Sequence, residues 1–225
     1  MRARLAAVMG VLVTLAFGGG VAVASSLRPG PDDVAYNLPS GPDGAINPDP
    51  FLASGVGIGQ DVALYTASGT GPAPLNSGAA AGSPELYVDY SVLTELHPSF
   101  TPTEEDRAAG VLPPNVTITE AQGLNAMARV QENLASAGLT LADLVSMRIY
   151  QDSPPSAGTA DFEGWNRAYR KFVANVDRVS GEVLPTYAPV VFENATRPTR
   201  VNLEVAGLPR PGWLVEIEVV AAFPA

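Results

Sequence analysis

The sequence predicts an α+β fold in which two amphipathic helices pack on one face of a mixed β-sheet. Several short segments alternate apolar and polar residues, as half-buried strands do. Two longer segments repeat apolar residues with the period of a helix. The order along the chain is strand, helix, strand, helix, strand, strand. Two helices between the strands of one sheet bury their apolar sides best against a face of that sheet.

The first 24 residues have the three parts of a secretory signal peptide. Arg2 and Arg4 precede an apolar run that ends near Phe17, and Ala22-Val23-Ala24 offers a small-x-small cleavage site. The apolar run is too short and too glycine-rich at its end for a good membrane span. We therefore expect a secreted or extracytoplasmic protein without stable membrane insertion after cleavage. An uncleaved anchor is the alternative.

Composition restricts the partners and cofactors. The chain has 13 basic and 23 acidic residues, and removal of residues 1–24 takes away two basic ones, so the mature net charge is 11 − 23 = −12. Such a surface repels phosphate backbones and disfavours nucleic acid as a partner. The chain has no cysteine and one histidine, His97, which has no companions at metal-ligand spacing. We expect no metal and no cofactor.

The N-terminal part of the mature chain is predicted to be an extended arm over residues 25–56, because Pro, Gly, Asp and Asn there break both periodicities. The domain itself is predicted to span residues 57–225. Its first strand follows a turn at Gly59-Gln60-Asp61, and Val62, Leu64 and Thr66 alternate with their neighbours.

Residues 70–116 are interpreted as an insertion in this domain. They are rich in Gly, Pro and Ala and contain one short strand-like run, Leu86–Leu93. A stretch of this length without regular structure is uncommon inside a compact domain and is usually functional or mobile.

Two helices and one strand are predicted after the insertion. In the first helix, Thr119 and Gln122 fit a capping box and Gly138 fits a C-terminal stop. Its apolar stripe is Leu124, Met127, Val130 and Leu134. The second helix is predicted over about 160–174, with an apolar side made of Phe162, Trp165, Tyr169, Phe172 and Val173. The strand between the helices places Val145, Met147 and Ile149 on one face.

The last two strands, Thr199–Val205 and Trp213–Val220, are predicted to form an antiparallel hairpin. Period two assigns their apolar residues to the helix-covered face: Val201, Leu203, Val205, Val215, Ile217 and Val219. It assigns their polar residues to the opposite face: Arg200, Asn202, Glu204, Glu216 and Glu218. Charges on an open face either form solvated cross-strand pairs, worth about 0.2–1 kcal/mol each, or line a ligand site. The pattern alone leaves both alternatives open.

Four segments, taken in chain order, resemble the RidA-like (YjgF) family of reactive-intermediate deaminases: "YTASG", "NLASAGLTLADLVSMRIYQD", "DFEGWNRAYRKFV" and "RVNLEVAGLP…LVEIEV". The resemblance covers most of residues 57–69 and 117–222. It implies the chorismate-mutase-like fold of that family. It also implies a homotrimer in which the charged sheet faces of adjacent subunits frame clefts.

The resemblance implies residue roles as well. Arg200 corresponds to the arginine that grips a substrate carboxylate, and Glu216 to the acid that positions the attacking water. The substrate-binding residues that it implies are Arg200, Asn166, Phe51, Ser68, Gly69 and Asn202. A guanidinium suits a carboxylate because it can donate two parallel hydrogen bonds, and a carboxylate can exchange a proton with a leaving amine. Phe51 stands where the family commonly has a tyrosine, and Asn202 where many members have a cysteine.

Two functions follow from the resemblance. The first is hydrolysis of an enamine or imine to a 2-oxo acid and ammonia. The alternative is a secreted, non-catalytic protein that binds a small carboxylate in the same cleft. RNA cleavage, sometimes attributed to this family, is disfavoured by the charge of −12 calculated above.

Overall fold

The computed structural model describes residues 28–155 and 157–225. The predicted signal peptide, residues 1–24, lies outside the described residues. The described strands are β1 (Val34–Asn37), β2 (Gly55–Ile58), β3 (Leu64–Thr66), β4 (Leu144–Gln151), β5 (Thr199–Glu204) and β6 (Val215–Ala222). The described α-helices are α1 (Tyr90–Leu96), α2 (Glu104–Ala108), α3 (Ile118–Ser136) and α4 (Phe162–Arg170). Of these helices, not one is long and apolar enough to cross a membrane.

The main sheet is mixed, with the strand order β3-β6-β4-β5. Strand β6 runs antiparallel to both of its neighbours, and β5 runs parallel to β4. Helices α3 and α4 pack against each other, and α3 also packs on β6. The predicted α+β fold, with two helices on one face of a mixed sheet, is therefore confirmed.

Strands β1 and β2 form a separate antiparallel pair in which Val34 lies opposite Ile58. The predicted extended arm thus contains β1 and the first half of β2. The hydroxyl of Tyr36 donates a hydrogen bond to the carbonyl of Leu144 at 2.8 Å, which ties the pair to the start of β4. The predicted turn at Gly59-Gln60-Asp61 is present between β2 and β3.

Helix α3 buries the apolar stripe that the sequence predicts, and Leu124, Met127, Val130 and Leu134 are at most 1% exposed. The predicted capping box at Thr119 is wrong. The helix begins two residues earlier, because the side-chain oxygen of Thr117 accepts a hydrogen bond from the amide of Glu120 at 3.2 Å. Gly138, with a φ of 77°, follows the end of the helix as predicted.

Helix α4 is shorter than predicted. Asp161 caps its start by accepting a hydrogen bond from the amide of Gly164, and the helix ends at Arg170. The side chains of Trp165, Tyr169, Phe172 and Val173 are all fully buried, as their spacing predicts. Phe162 is 37% exposed, because it lies in the first turn, at the end of the helix.

The insertion at 70–116 is folded against the core. Its strand-like run, Leu86–Leu93, is not a strand but the end of a 3-10 turn (Pro84–Tyr87) followed by α1. The physical reason is a cap: Asp89 accepts a hydrogen bond from the amide of Ser91 at 2.9 Å and starts the helix. Buried apolar residues of this segment join the core cluster, among them Val88, Tyr90, Leu93 and Leu96.

The predicted hairpin of the last two strands is wrong, because β4 lies between β5 and β6. Strand β5 follows β4 through α4, and a strand that returns through a helix on one face pairs in parallel with the strand before it. The loop "AGLPRPG" therefore crosses from the edge of the sheet, past β4, to β6.

The face assignment of β5 is also wrong. Arg200 and Asn202 are level with Met147 and Ile149, whose side chains are buried under the helices. Their neighbours Val201 and Leu203, predicted to be covered, are each 49% exposed. Alternation identifies the two faces of a strand, but on an edge strand it does not reveal which face is covered.

The assignment of β6 is confirmed. Val215, Ile217 and Val219 are buried towards the helices. Glu216 and Glu218 lie level with Tyr150 and Arg148 on the open face.

The contact between α3 and α4 depends on Gly123. A Cβ at this position would lie 2.8 Å from the Cβ of Ala168, closer than carbon atoms pack. We expect Gly123→Leu to lower the free energy of unfolding by about 2–3 kcal/mol, because the helices must separate. Ala135→Leu, on the exposed side of the same helix, should change it by less than about 0.5 kcal/mol. Urea unfolding of both variants tests this, and equal midpoints would contradict the packing.

Candidate functional site

Arg200 lies beneath two aromatic rings at the β5 edge of the sheet. Its guanidinium carbon is 4.4 Å from the centre of the Phe51 ring and 5.0 Å from that of Tyr169. Both distances are within the range of a cation–π contact. Burial lowers the pKa of Arg200, and the nearby charge of Arg170 lowers it further. A buried guanidinium still remains positively charged at neutral pH, since its ordinary pKa lies far above neutrality.

Among the described residues, the guanidinium of Arg200 has no anionic partner. Its Nη1 atom is fully buried and makes no hydrogen bond. Within the described residues, no carboxylate oxygen lies within 4.0 Å of it. Leaving a buried charged donor without an acceptor is unfavourable. An anionic ligand that reached this edge would supply the missing acceptor.

Phe51 is held in place by a polar cluster that the sequence analysis did not identify. Arg170 lies 4.5 Å from the centre of the Phe51 ring and donates a hydrogen bond to Asp49 at 2.6 Å. Tyr187 donates to the other oxygen of Asp49 at 2.7 Å. The buried side chain of Arg197 donates to the carbonyl of Pro50 at 2.7 Å. These contacts fix the arm just before Phe51, and no periodicity in a Pro-rich arm could reveal them.

A cavity of about 550 Å³ opens beside Phe51 and Asn166. Its walls come from α4, the loop at Thr186 and Tyr187, and insertion residues at positions 97 and 114–116. The Oδ1 atom of Asn166 is buried without a donor. Lys171, the single lysine of the chain, donates to the carbonyls of Tyr187 and Pro189 at 2.8 and 3.0 Å. Asn166 and Phe51 thus line the same cavity.

A second group of predicted residues, Ser68, Gly69 and Glu216, lies across the sheet. The contact between Gly69 and Glu216 is close, and a Cβ at position 69 would overlap the carboxyl group of Glu216. Thr70 pairs with Ile217, which holds this loop on β6. A side chain at position 69 would force the Glu216 carboxyl group to move.

Glu216 is a carboxyl group with a raised pKa. Burial raises its pKa, and the neighbouring charge of Glu218 raises it further. Glu218 itself is compensated, because Arg148 lies 3.7 Å away and Tyr150 donates to it at 3.1 Å. In the part of the chain that the structure describes, Glu216 has no such cation.

The structure does not bring the predicted residues into one group within a chain. Arg200 lies on the helix-covered side of β5, and Glu216 lies on the open face of β6. Strand β4 separates the two strands, so their backbones are roughly 10 Å apart. Asn202 shares the side of Arg200, where its Oδ1 accepts a hydrogen bond from Gln151 at 2.7 Å. A small substrate cannot contact Arg200 and Glu216 of the same chain.

Comparison with known families assigns the chain. The family model described as endoribonuclease L-PSP matches residues 108–223, which is more than half of the sequence. The chain belongs to this family, which is also known as YjgF/RidA. Arg200, Glu216, Asn166 and Asn202 lie inside the matched range of this RidA-family chain. Phe51, Ser68 and Gly69 precede it, because the insertion separates them from the rest.

Solved structures of the same group are similar at low identity. Rv2704 of Mycobacterium tuberculosis, a YjgF/YER057c/UK114 family member, is 21% identical, with 76% of this chain and 86% of that chain covered and a TM-score of 0.37. NMB1025 of Neisseria meningitidis is 17% identical, with coverages of 87% and 98% and a TM-score of 0.38. E. coli TdcF with bound serine is 24% identical, with coverages of 52% and 72% and a TM-score of 0.33. No curated protein matches the sequence.

The described residues contain no group of three or more His, Asp or Glu side chains that could hold a metal ion.

The Asp49 cluster should contribute to stability. Asp49→Asn removes the charge that compensates Arg170, whose side chain is 5% exposed. We expect a loss of about 2–3 kcal/mol in the free energy of unfolding, because a nearly buried guanidinium loses its counter-charge. The control is Glu104→Gln, which removes an exposed pair of 3.9 Å with Arg107 and should cost less than about 1 kcal/mol. Equal effects in chemical denaturation would contradict a special role for Asp49.

Proposed function

We propose that this RidA-family protein is an enamine/imine deaminase whose site is shared between two copies of the chain. The observation that carries the proposal is the guanidinium of Arg200, which is caged by Phe51 and Tyr169 and has a buried nitrogen without an acceptor. Such a group matches the carboxylate of a small imino acid, because a planar guanidinium can donate two parallel hydrogen bonds to it.

The proposed reaction is the addition of water to an imine carbon. The water oxygen bonds to the carbon, the C–N bond breaks, and protons pass to nitrogen, which leaves as ammonia. Glu216 suits the proton transfers because its raised pKa brings its two protonation states closer in free energy near neutral pH. Its first role is to orient the water, and its second is to give a proton to the leaving amine.

The site requires a second subunit, and we propose a homotrimer, the assembly implied by the resemblance to RidA-like proteins. The opposite placement of Arg200 and Glu216 supports sharing, because Glu216 of one copy can approach Arg200 only of another. The open sheet face also carries the exposed apolar side chains Val201 and Leu203. Burial of these side chains against a neighbouring copy would contribute to the assembly.

The alternative function is binding of a small carboxylate without turnover. Phe51 favours it, because this ring keeps the cation–π contact with Arg200 but has no hydroxyl to assist a proton transfer. The predicted export of the chain also favours it, since the pyridoxal phosphate enzymes that produce imino acids are mostly cytoplasmic. RNA cleavage is the least favoured, since the full chain has a net charge of −10 and would repel a phosphate backbone.

Arg200→Ala should abolish carboxylate binding. We expect the affinity for a 2-oxo acid to fall by about 2–4 kcal/mol, because two charge-assisted hydrogen bonds are lost. Arg200→Lys should be a poor rescue, since an ammonium group lacks the planar fork. Calorimetry measures these affinities, and Arg178→Ala, an exposed arginine near Asn47, is the control for the lost charge. Equal heats for wild type and Arg200→Ala would contradict the proposed function.

The sharing of the site between copies predicts complementation. Arg200→Ala and Glu216→Gln should each lose ammonia release from imino acids. When the two variants are unfolded together and reassembled, roughly one quarter of the interfaces should combine an intact Arg200 with an intact Glu216. About that fraction of the wild-type activity should return. Failure to regain activity would contradict the shared site, and wild type without ammonia release would support the binding protein instead.

A further inference from the structure

A second pocket, of about 350 Å³, lies next to the Glu216 side of the proposed site. It begins at Gly69, whose backbone lies against the Glu216 carboxyl group. From there it extends along insertion residues 70–74 towards Arg129 of α3 and Arg210 of the β5–β6 loop. We name it the arginine pocket, after Arg129 and Arg210.

The charge of the arginine pocket is opposite to that of the protein. The chain as a whole has a net charge of −10, yet the lining contains two arginines and no acidic residue. No carboxylate of the described residues lies within 4.0 Å of either guanidinium. Two uncompensated cations in one concave site attract an anionic group.

The walls of the pocket are fixed in place. Asn125, buried in α3, bonds to both the amide and the carbonyl of Ala73, at 3.0 and 2.8 Å. Gln122, one turn earlier, accepts from the amide of Leu214 at 2.8 Å and donates to the carbonyl of Gly212 at 2.7 Å. These two amides hold the insertion and the segment around Trp213 against the same helix. Arg129 is also anchored, by a hydrogen bond to the carbonyl of Gly71.

The aromatic side of the pocket is equally constrained. Gly71 packs so closely on the Trp213 ring that a Cβ there would overlap it. Tyr87 meets the same ring edge-on, with centroids 6.2 Å apart. Arg210 lies 5.9 Å from the ring centre. Because these groups are already ordered, a ligand would lose little free energy in arranging them.

We propose that the arginine pocket binds the distal carboxylate of the substrate, so that the substrate class of this protein is dicarboxylic 2-imino or 2-oxo acids. The inference rests on the proposed function, in which the 2-carboxylate is held by Arg200 of another copy and the reacting carbon lies near Glu216. The distal part of the substrate then extends past Gly69 into the pocket. Arg210 and Arg129 donate hydrogen bonds to its carboxylate.

The test compares two ligands of equal chain length, 2-oxoglutarate and 2-oxopentanoate, which differ in the terminal carboxylate. Wild type should bind 2-oxoglutarate about tenfold more tightly, the effect of one charge-assisted contact. Arg210→Ala should remove most of this preference and leave the affinity for 2-oxopentanoate unchanged. Arg210 is exposed, and its side chain makes no hydrogen bond to the described residues, so truncation of the side chain should not disturb the fold. Arg178→Ala, which removes the same charge elsewhere, should keep the preference.

Tryptophan fluorescence provides an independent signal. Of the two tryptophans, Trp165 is fully buried, so a change caused by 2-oxoglutarate and absent with 2-oxopentanoate reports on Trp213. Trp213→Phe should remove the change.

The outcomes separate this inference from the proposed function. Equal affinities of wild type for both ligands, with both lost in Arg200→Ala, would overturn the arginine pocket and keep the carboxylate site. A preference for 2-oxoglutarate that depends on Arg210 but not on Arg200 would keep the pocket and overturn the proposed function. Failure of wild type to bind either ligand would overturn both.

Discussion

The parallel pairing of β5 with β4 is the constraint on which the candidate site depends. The connection through α4 places β5 at the edge of the sheet and turns Arg200 towards the helices, under Phe51 and Tyr169. An antiparallel hairpin would instead place Arg200 beside Glu216, where the two charges would neutralise each other. The observed topology keeps the guanidinium and the carboxyl group apart. Within the described residues, Arg200 therefore remains a cation without a carboxylate partner, and Glu216 remains a carboxyl group with a raised pKa.

The arginines near the β5 edge of the sheet differ in their partners. Asp49 compensates Arg170, and Arg197 donates to backbone carbonyls, so these two guanidinium groups hold the arm against the domain. Arg200 contacts the same Phe51 ring as Arg170 but has no carboxylate partner in the described part of the chain. Arg170 and Arg197 hold the Phe51 ring in place, and the ring in turn packs against Arg200. A preformed cation of this kind needs little rearrangement when it binds an anion.

The sequence predicts the regular elements well where a repeated pattern determines them. The predictions of the apolar stripe of α3 and of the buried face of β6 are correct. Burial of one side of a helix or strand requires apolar residues at the spacing of that element, and this spacing is visible in the sequence. The side of β5 could not be predicted, since Val201 and Leu203 are apolar but lie on an edge strand with an open face. The clusters around Asp49 and Arg210 could not be predicted either. They join residues far apart in sequence, and their geometry depends on how loops pack, which has no period.

The insertion at 70–116 is ordered by hydrogen bonds to helix α3. The composition of the insertion resembles that of a mobile segment. Nevertheless, Asn125 and Gln122 of α3 form hydrogen bonds with its backbone and with that of the β5–β6 loop. The side-chain amides of Asn125 and Gln122 are fully buried. Burial of a polar group is unfavourable unless it forms hydrogen bonds, and here the loop backbones supply the partners. A sheet covered by two helices leaves the identity of these loops open. Within that freedom, the packed loops of this chain form the arginine pocket next to Gly69, whose backbone lies against the Glu216 carboxyl group.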